Sequence, residues 1–270
     1  MRHPMPELTT MLLDRPRPGV VVLTLNRPDR LNAMTDVMFA ELEGAALALD
    51  GEDGLRVLVL TGAGRAFCAG YDLADAETLP ELGAIGMLDK QEHAAHALVA
   101  IRSIRVPVIA AVNGAAAGGG LALALAADIR LASPTAKFIA SFVRIGLSAG
   151  DLGSSWLLTR LIGPAAAAEL CYPAASMDAA WAERTGLVNR VLPADELLAA
   201  ALDMADAIRA NSPGGVQLSK RALQANLEIG SYAAALELEN RGQALLTRGS
   251  DMPEALDAFR TGRDPIFTGR

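Results

Sequence analysis

The sequence predicts an α/β protein on three observations. Two β-rich apolar runs flank a stretch of helical periodicity, the strand-helix alternation recurs downstream, and strand signals cease near residue 195. Strands that read as unbroken apolar runs belong to parallel sheets covered on both faces. The chain therefore divides into an α/β core, residues 1–195, and a helical region, residues 196–270.

Residues 20–26, VVVLTLN, form the first predicted strand. A Pro/Asp/Arg turn follows, and Thr35 is placed to cap a helix whose apolar positions Val37, Leu42, Ala45 and Leu49 recur until Asp50-Gly51 ends it. Residues 55–61, LRVLVLT, read as a second strand, closed by Gly62-Ala63-Gly64. A helix is expected over 88–104, a strand over 106–112, a helix over 118–127 and a short strand over 129–132. Past residues 188–191 come helices at 195–210, 215–227, 233–246 and 253–261, with no strand between them. Their Ala/Leu faces need cover, from a neighbouring subunit or from the core itself.

A chain of 270 residues, 51% hydrophobic and 20% charged, has enough apolar material for a sizeable core and excludes extended disorder. Lys and Arg number 24 against 31 Asp and Glu, a formal charge of −7 that repels phosphate backbones and makes nucleic acid an unexpected partner. An anionic ligand would need a local basic spot or a helix N-terminus. Cys68 and Cys171 are too few for a disulfide framework and suit a reducing compartment. The N-terminal residues contain no apolar signal core, so the expected location is the cytoplasm. Residues 106–127 carry no charge and are long enough to cross a bilayer. Pro107, Asn113 and Gly118-Gly119-Gly120 break them into strand, turn and helix, so no membrane span is expected.

Several chemistries are excluded by motif. Phe67 stands where the dinucleotide fingerprint needs its third glycine, and no phosphate-loop ending occurs. Ser154-Ser155 lack a nucleophile elbow. His93 and His96 sit three apart near Asp89 and Glu92 but lack a further ligand at metal-site spacing, so no metal is expected. Two strand ends remain that finish in small residues: residues 67–73, FCAGYDL, and residues 113–120, NGAAAGGG. Such residues let a ligand approach the main chain, and the glycine run opens a helix whose first N–H groups are unpaired.

In order and spacing these segments resemble the crotonase (enoyl-CoA hydratase/isomerase) superfamily. The resemblance spans almost the whole chain: Leu25-Asn26-Arg27-Pro28, Leu31-Asn32-Ala33-Met34, Leu60-Thr61-Gly62, Asp72-Leu73, residues 107–120, Ala127-Asp128-Ile129-Arg130 and Gly186-Leu187-Val188. It implies a spiral of ββα turns, a C-terminal helical region that builds trimers or hexamers, and an acyl-CoA thioester whose coenzyme A belongs to the substrate, with no separate cofactor. The family's oxyanion donors fall on the N–H groups of Tyr71 and Gly119. Arg30 and Arg65 occupy positions near the CoA phosphates, Ala69 the position where the main chain meets the adenine, with Asp72 and Leu73 beside it. Phe259 matches an aromatic residue that reaches the CoA of an adjacent subunit, while Gly262 replaces the basic residue that accompanies it.

The departures bear on the reaction. The two glutamates that hydratases of this superfamily use as acid and base correspond to Ala122 and Phe142, neither of which moves a proton. Asp151 lies near the position where dienoyl-CoA isomerases carry an aspartate, with one extra residue after Gly146. The expected function is therefore proton transfer on an enolate rather than hydration. A non-catalytic acyl-CoA binder, a hydratase using other acids, and hydrolysis or decarboxylation of a CoA ester are the alternatives. Asp151 either faces the acyl pocket or caps the helix that begins near Ser154.

Overall fold

The computed structural model of the chain describes residues 3–269. In chain order its elements are β1 (Met11–Arg17), β2 (Val20–Leu25), α1 (Asp36–Asp50), β3 (Val57–Gly62), β4 (Ala66–Cys68), α2 (Leu73–Ala76), α3 (Gly83–Ser103), β5 (Val108–Val112), β6 (Ala115–Ala117) and α4 (Gly119–Ala126). They continue with β7 (Ile129–Ala132), β8 (Lys137–Ile139), α5 (Ser154–Leu161), α6 (Gly163–Cys171), β9 (Ser176–Asp178), α7 (Ala179–Thr185) and β10 (Arg190–Val191). Four helices close the chain: α8 (Leu197–Arg209), α9 (Pro213–Asn226), α10 (Tyr232–Leu246) and α11 (Asp251–Thr261).

Three turns of the core, β3-β4, β5-β6 and β7-β8, each give one strand to a six-stranded sheet, ordered β1-β2-β3-β5-β7-β10, then a short strand to a four-stranded sheet, ordered β4-β6-β8-β9, before a helix leads on. This is the ββα spiral expected from the resemblance. β2, β3, β5, β7 and β10 run parallel; β1 joins β2 antiparallel. The apolar runs are buried on both sides. Val21, Leu23, Leu58, Leu60, Ala110 and Val112 face α1, α3 and α4, while Val20, Val22, Val57, Val59, Ile109 and Leu131 face α8.

Thr35 caps α1, its hydroxyl accepting from the Met38 N–H at 3.2 Å. The buried stripe of α1 runs through Met38, Phe39, Leu42, Ala45, Ala46 and Leu49; Val37, expected on that stripe, faces solvent. A helix's inner face is about 100° wide, and Met38 and Phe39 take the first-turn places in it. The uncharged residues 106–127 are β5, β6 and α4, with α4 buried at all of its residues. Gly120 explains how α4 sits so close to the small sheet: a Cβ there would lie 2.2 Å from the Cys68 carbonyl oxygen. No helix among the described residues is long and apolar enough to cross a membrane.

The helical region is not uniform. α8 packs Leu197, Ala201 and Ala205 on the large sheet. α9 is tied to the core by Lys220, whose buried ammonium donates to the Val106 carbonyl at 2.9 Å and pairs with Asp128 at 2.8 Å. α10 buries none of its residues.

Candidate active site

Two backbone turns meet at the N-terminus of α4. Met34 forms a parallel bridge with Tyr71: its N–H donates to the Gly70 carbonyl at 2.7 Å, and its carbonyl accepts from the Asp72 N–H at 2.8 Å. In that pattern the N–H of Tyr71 itself points to the other side. Gly119 is the first residue of α4, so its N–H has no intrahelical acceptor. Gly70, at φ +94°, brings the two together: a Cβ there would stand 2.7 Å from the Ala117 carbonyl oxygen and 3.4 Å from the Gly119 nitrogen. Only glycine combines that dihedral with that approach.

Asn32 locks the first turn in place. Its buried amide donates to the carbonyls of Ala63 and Ala66, each at 2.9 Å, and of Phe67 at 3.2 Å, while its oxygen accepts from the Arg27 N–H at 2.9 Å. Asp72 fixes the far side of the loop. It caps α2 through the Ala74 N–H at 3.2 Å and pairs with Arg27 at 3.0 Å and Arg30 at 3.5 Å. Burial works to raise the Asp72 pKa, but the Ala74 N–H and the two guanidinium groups outweigh it and hold the carboxyl below its ordinary value.

The two turns line a cavity of about 260 Å³. Ala69, Tyr71, Leu73, Gly119 and Asp151 all contribute to it, and Phe39, Leu79, Met87 and Phe142 supply much of its apolar surface. Arg30, Arg65, Asp72 and Phe259 lie outside the lining. Arg65 is exposed on the turn after β3, and Phe259 is 90% exposed on α11.

Asp151 does not cap α5 with its side chain. Gly153 holds the N-cap position with no side-chain bond, and it is the Asp151 main-chain carbonyl that accepts from the Ser154 N–H, at 2.8 Å. Asp151 belongs to the lining of the cavity instead, and burial raises its carboxyl pKa above the ordinary value, opposed by one hydrogen bond from the Leu152 N–H. Leu152 carries φ +47°, a left-handed conformation that is strained for a branched side chain and holds Asp151 at the bend.

One polar cluster in the lining has no counterpart in the sequence reading. Asp36, the first residue of α1, binds Lys90 of α3 at 2.6 Å and lies 3.4 Å from the Tyr71 hydroxyl. The Lys90 ammonium stands 5.6 Å from the centre of the Tyr71 ring, which stacks on Phe39 at 6.3 Å. Burial raises the Tyr71 pKa, against a hydrogen bond from Lys90, so the phenol keeps its proton at neutral pH. In one dimension Asp36 is an ordinary first-turn acid and Lys90 an ordinary solvated helix residue. His93, a metal candidate by spacing, approaches the Asp36 carbonyl at 3.4 Å.

A family model described as enoyl-CoA hydratase/isomerase matches residues 15–270. The chain belongs to the enoyl-CoA hydratase/isomerase family. A Mycobacterium tuberculosis protein named "probable enoyl-CoA hydratase" is 39% identical over 268 residues, covering 97% of this chain and 93% of that protein. The 1,2-epoxyphenylacetyl-CoA isomerase of Escherichia coli is 37% identical over 260 residues, 96% of this chain and 98% of its own. A crystal structure of enoyl-CoA hydratase from Bacillus anthracis superposes with a TM-score of 0.91 at 31% identity, covering 97% of this chain and 100% of that one. The enzyme class follows from these likenesses: a hydratase/isomerase of the family, with relatives named for both reactions.

Proposed function

We propose that the protein binds an acyl-CoA thioester, holds its carbonyl oxygen between the N–H groups of Tyr71 and Gly119, and moves a proton on the resulting enolate with Asp151. Two preorganised N–H donors stabilise an oxyanion where it forms, and the positive end of α4 adds to them. The observation that carries the reading is Asp151, which belongs to the lining of the cavity that both turns share, is desolvated there, and has no cationic partner in the ion pairs of the described residues. A carboxyl kept above its ordinary pKa is matched to taking and returning a proton. Ala122 and Phe142, at the places of the hydratase glutamates, offer no second acid, which favours isomerisation over addition of water.

Coenzyme A fits an acidic chain only where cations gather. Arg30 and Arg65, beside the turns that carry Tyr71, would meet its phosphates, and Ala69 its adenine. Phe259 would come from a neighbouring subunit. A homotrimer, or a hexamer of two, is supported by α10, which buries nothing, and by exposed Leu245, Leu256 and Phe259. Light scattering on the full chain should give a mass of three or six chains; a monomer would refute the assembly.

The decisive experiment incubates 2-enoyl-, 3-enoyl- and dienoyl-CoA with the protein in D₂O and follows mass and double-bond position. Deuterium uptake or bond migration that is lost in Asp151→Asn is the expected result. Addition of water would mean a hydratase with other acids, and binding without conversion a non-catalytic acyl-CoA protein. Gly119→Pro, which deletes one donor N–H at the first position of α4, should lower turnover by at least about 10²–10³-fold, whereas Ala122→Gly should leave it near that of the parent.

A further inference from the structure

We propose that the cavity selects acyl groups bearing a neutral oxygen, a hydroxyl or a carbonyl, which the Tyr71 phenol hydrogen-bonds. The inference rests on the acyl-CoA reading above and names the substrate class of that same site.

Tyr71, Asp36 and Lys90 share one wall of a cavity whose other walls are mainly apolar. Asp36 and Lys90 pair at 2.6 Å and cancel in charge, so this wall offers no net cation; Arg144, elsewhere in the lining, donates to the Ala174 carbonyl at 2.6 Å. The phenol is different. Its oxygen accepts from Lys90, but it stands 3.4 Å from Asp36 Oδ1, well beyond the roughly 2.7–2.8 Å of a full O–H to O bond, so its own proton is largely unspent. Stacking on Phe39 fixes the ring, so the hydroxyl keeps one direction. An alkyl chain laid against this wall would strip water from the phenol and from Lys90 and return nothing, which is costly. An oxygen on the chain replaces that water. A few placed polar groups in an otherwise apolar pocket are what fix a ligand's identity, and a site built to bond an oxygen discriminates against the analogue that lacks it.

The test uses the full chain and two unreactive ligand series: saturated ω-hydroxyacyl-CoAs of increasing length, and unsubstituted saturated acyl-CoAs with the same number of heavy atoms. Dissociation constants are measured for both series and for coenzyme A alone, in the parent protein and in Tyr71→Phe, which keeps the ring and the backbone N–H. At one chain length the hydroxy ligand should bind about tenfold tighter than its unsubstituted acyl match, the size of one net hydrogen bond, and Tyr71→Phe should bring that ratio to about one. Lys90→Met, which leaves the phenol in place, should keep most of the ratio. Unsubstituted acyl ligands that bind with no gain for the hydroxyl at any length would overturn this inference alone, as would a ratio that survives Tyr71→Phe. Failure of every thioester and of coenzyme A to bind would overturn the acyl-CoA reading and this inference with it.

Discussion

Asp72 and Asp151 are two carboxylates on the loops that shape one cavity, and their surroundings drive them in opposite directions. Asp72 is buried between Arg27 and Arg30 and caps α2, so it is held ionised. Asp151 is desolvated on the cavity wall with one N–H donor to oppose the effect, so it is held partly toward its neutral form. One is bound by its neighbours, and the other is left poised. Structural and proton-transferring carboxylates are told apart by such environments, not by residue type.

Asp151→Asn tests the poised member and should produce the largest effect: isomerisation lower by about 10²–10⁴-fold. The same substitution should raise the melting temperature at neutral pH, by about a degree or two. The folded pKa of Asp151 lies above its unfolded value, so the folded state loses stability as pH rises from about 3.9 through that higher value, and asparagine removes the penalty. A calorimetric scan showing the variant less stable than the parent would break the contrast. If Asp151 is the base, log kcat of the parent should climb with pH along a limb displaced above about 3.9 as it ionises.

Asp72→Ala should act on stability first, lowering it by about 2–3 kcal/mol in a denaturant titration, because it removes a helix cap and leaves the half-buried Arg27 without its anion. The depressed pKa of Asp72 gives the opposite sign to Asp151: its contribution is present above about 3.9 and is lost as pH falls through the lower folded value. The smallest change belongs to Arg30→Ala. Its side chain is 58% exposed, with the guanidinium 3.5 Å from Asp72, an ion pair worth less than about 1 kcal/mol. If Arg30 also meets the CoA phosphates, KM should rise several-fold with kcat unchanged, and an unaltered KM would remove it from the binding site.

Four strands of the large sheet, β2, β3, β5 and β7, their parallel order and the helices on its faces were legible because apolar runs and helical spacing are local signals, whereas the two-residue β10 was not. The strands of the small sheet were not. β4, β6, β8 and β9 have three residues each, too few to show a period. β1 hides behind Asp14, Arg15 and Pro16, which read as loop until β2 pairs with it. The turns carrying Tyr71 and Gly119 announced themselves through glycine. Asp36 and Lys90 did not, since a contact 54 residues apart in the chain depends on α1 lying against α3. Asp151 was visible as a residue, but its direction was not: it follows from the left-handed turn at Leu152 and Gly153.

The strand order also governs how copies of this chain can meet. The outermost strands of the large sheet are β1, interrupted by Pro16 and flanked by charge, and β10, two residues long; those of the small sheet, β4 and β9, have three each. None presents a long row of free main-chain donors and acceptors, the template on which edge-to-edge aggregation grows. Association is left to side chains, whose shape and chemistry can choose a partner, and a concentrated solution of the protein is thereby protected from open-ended strand addition.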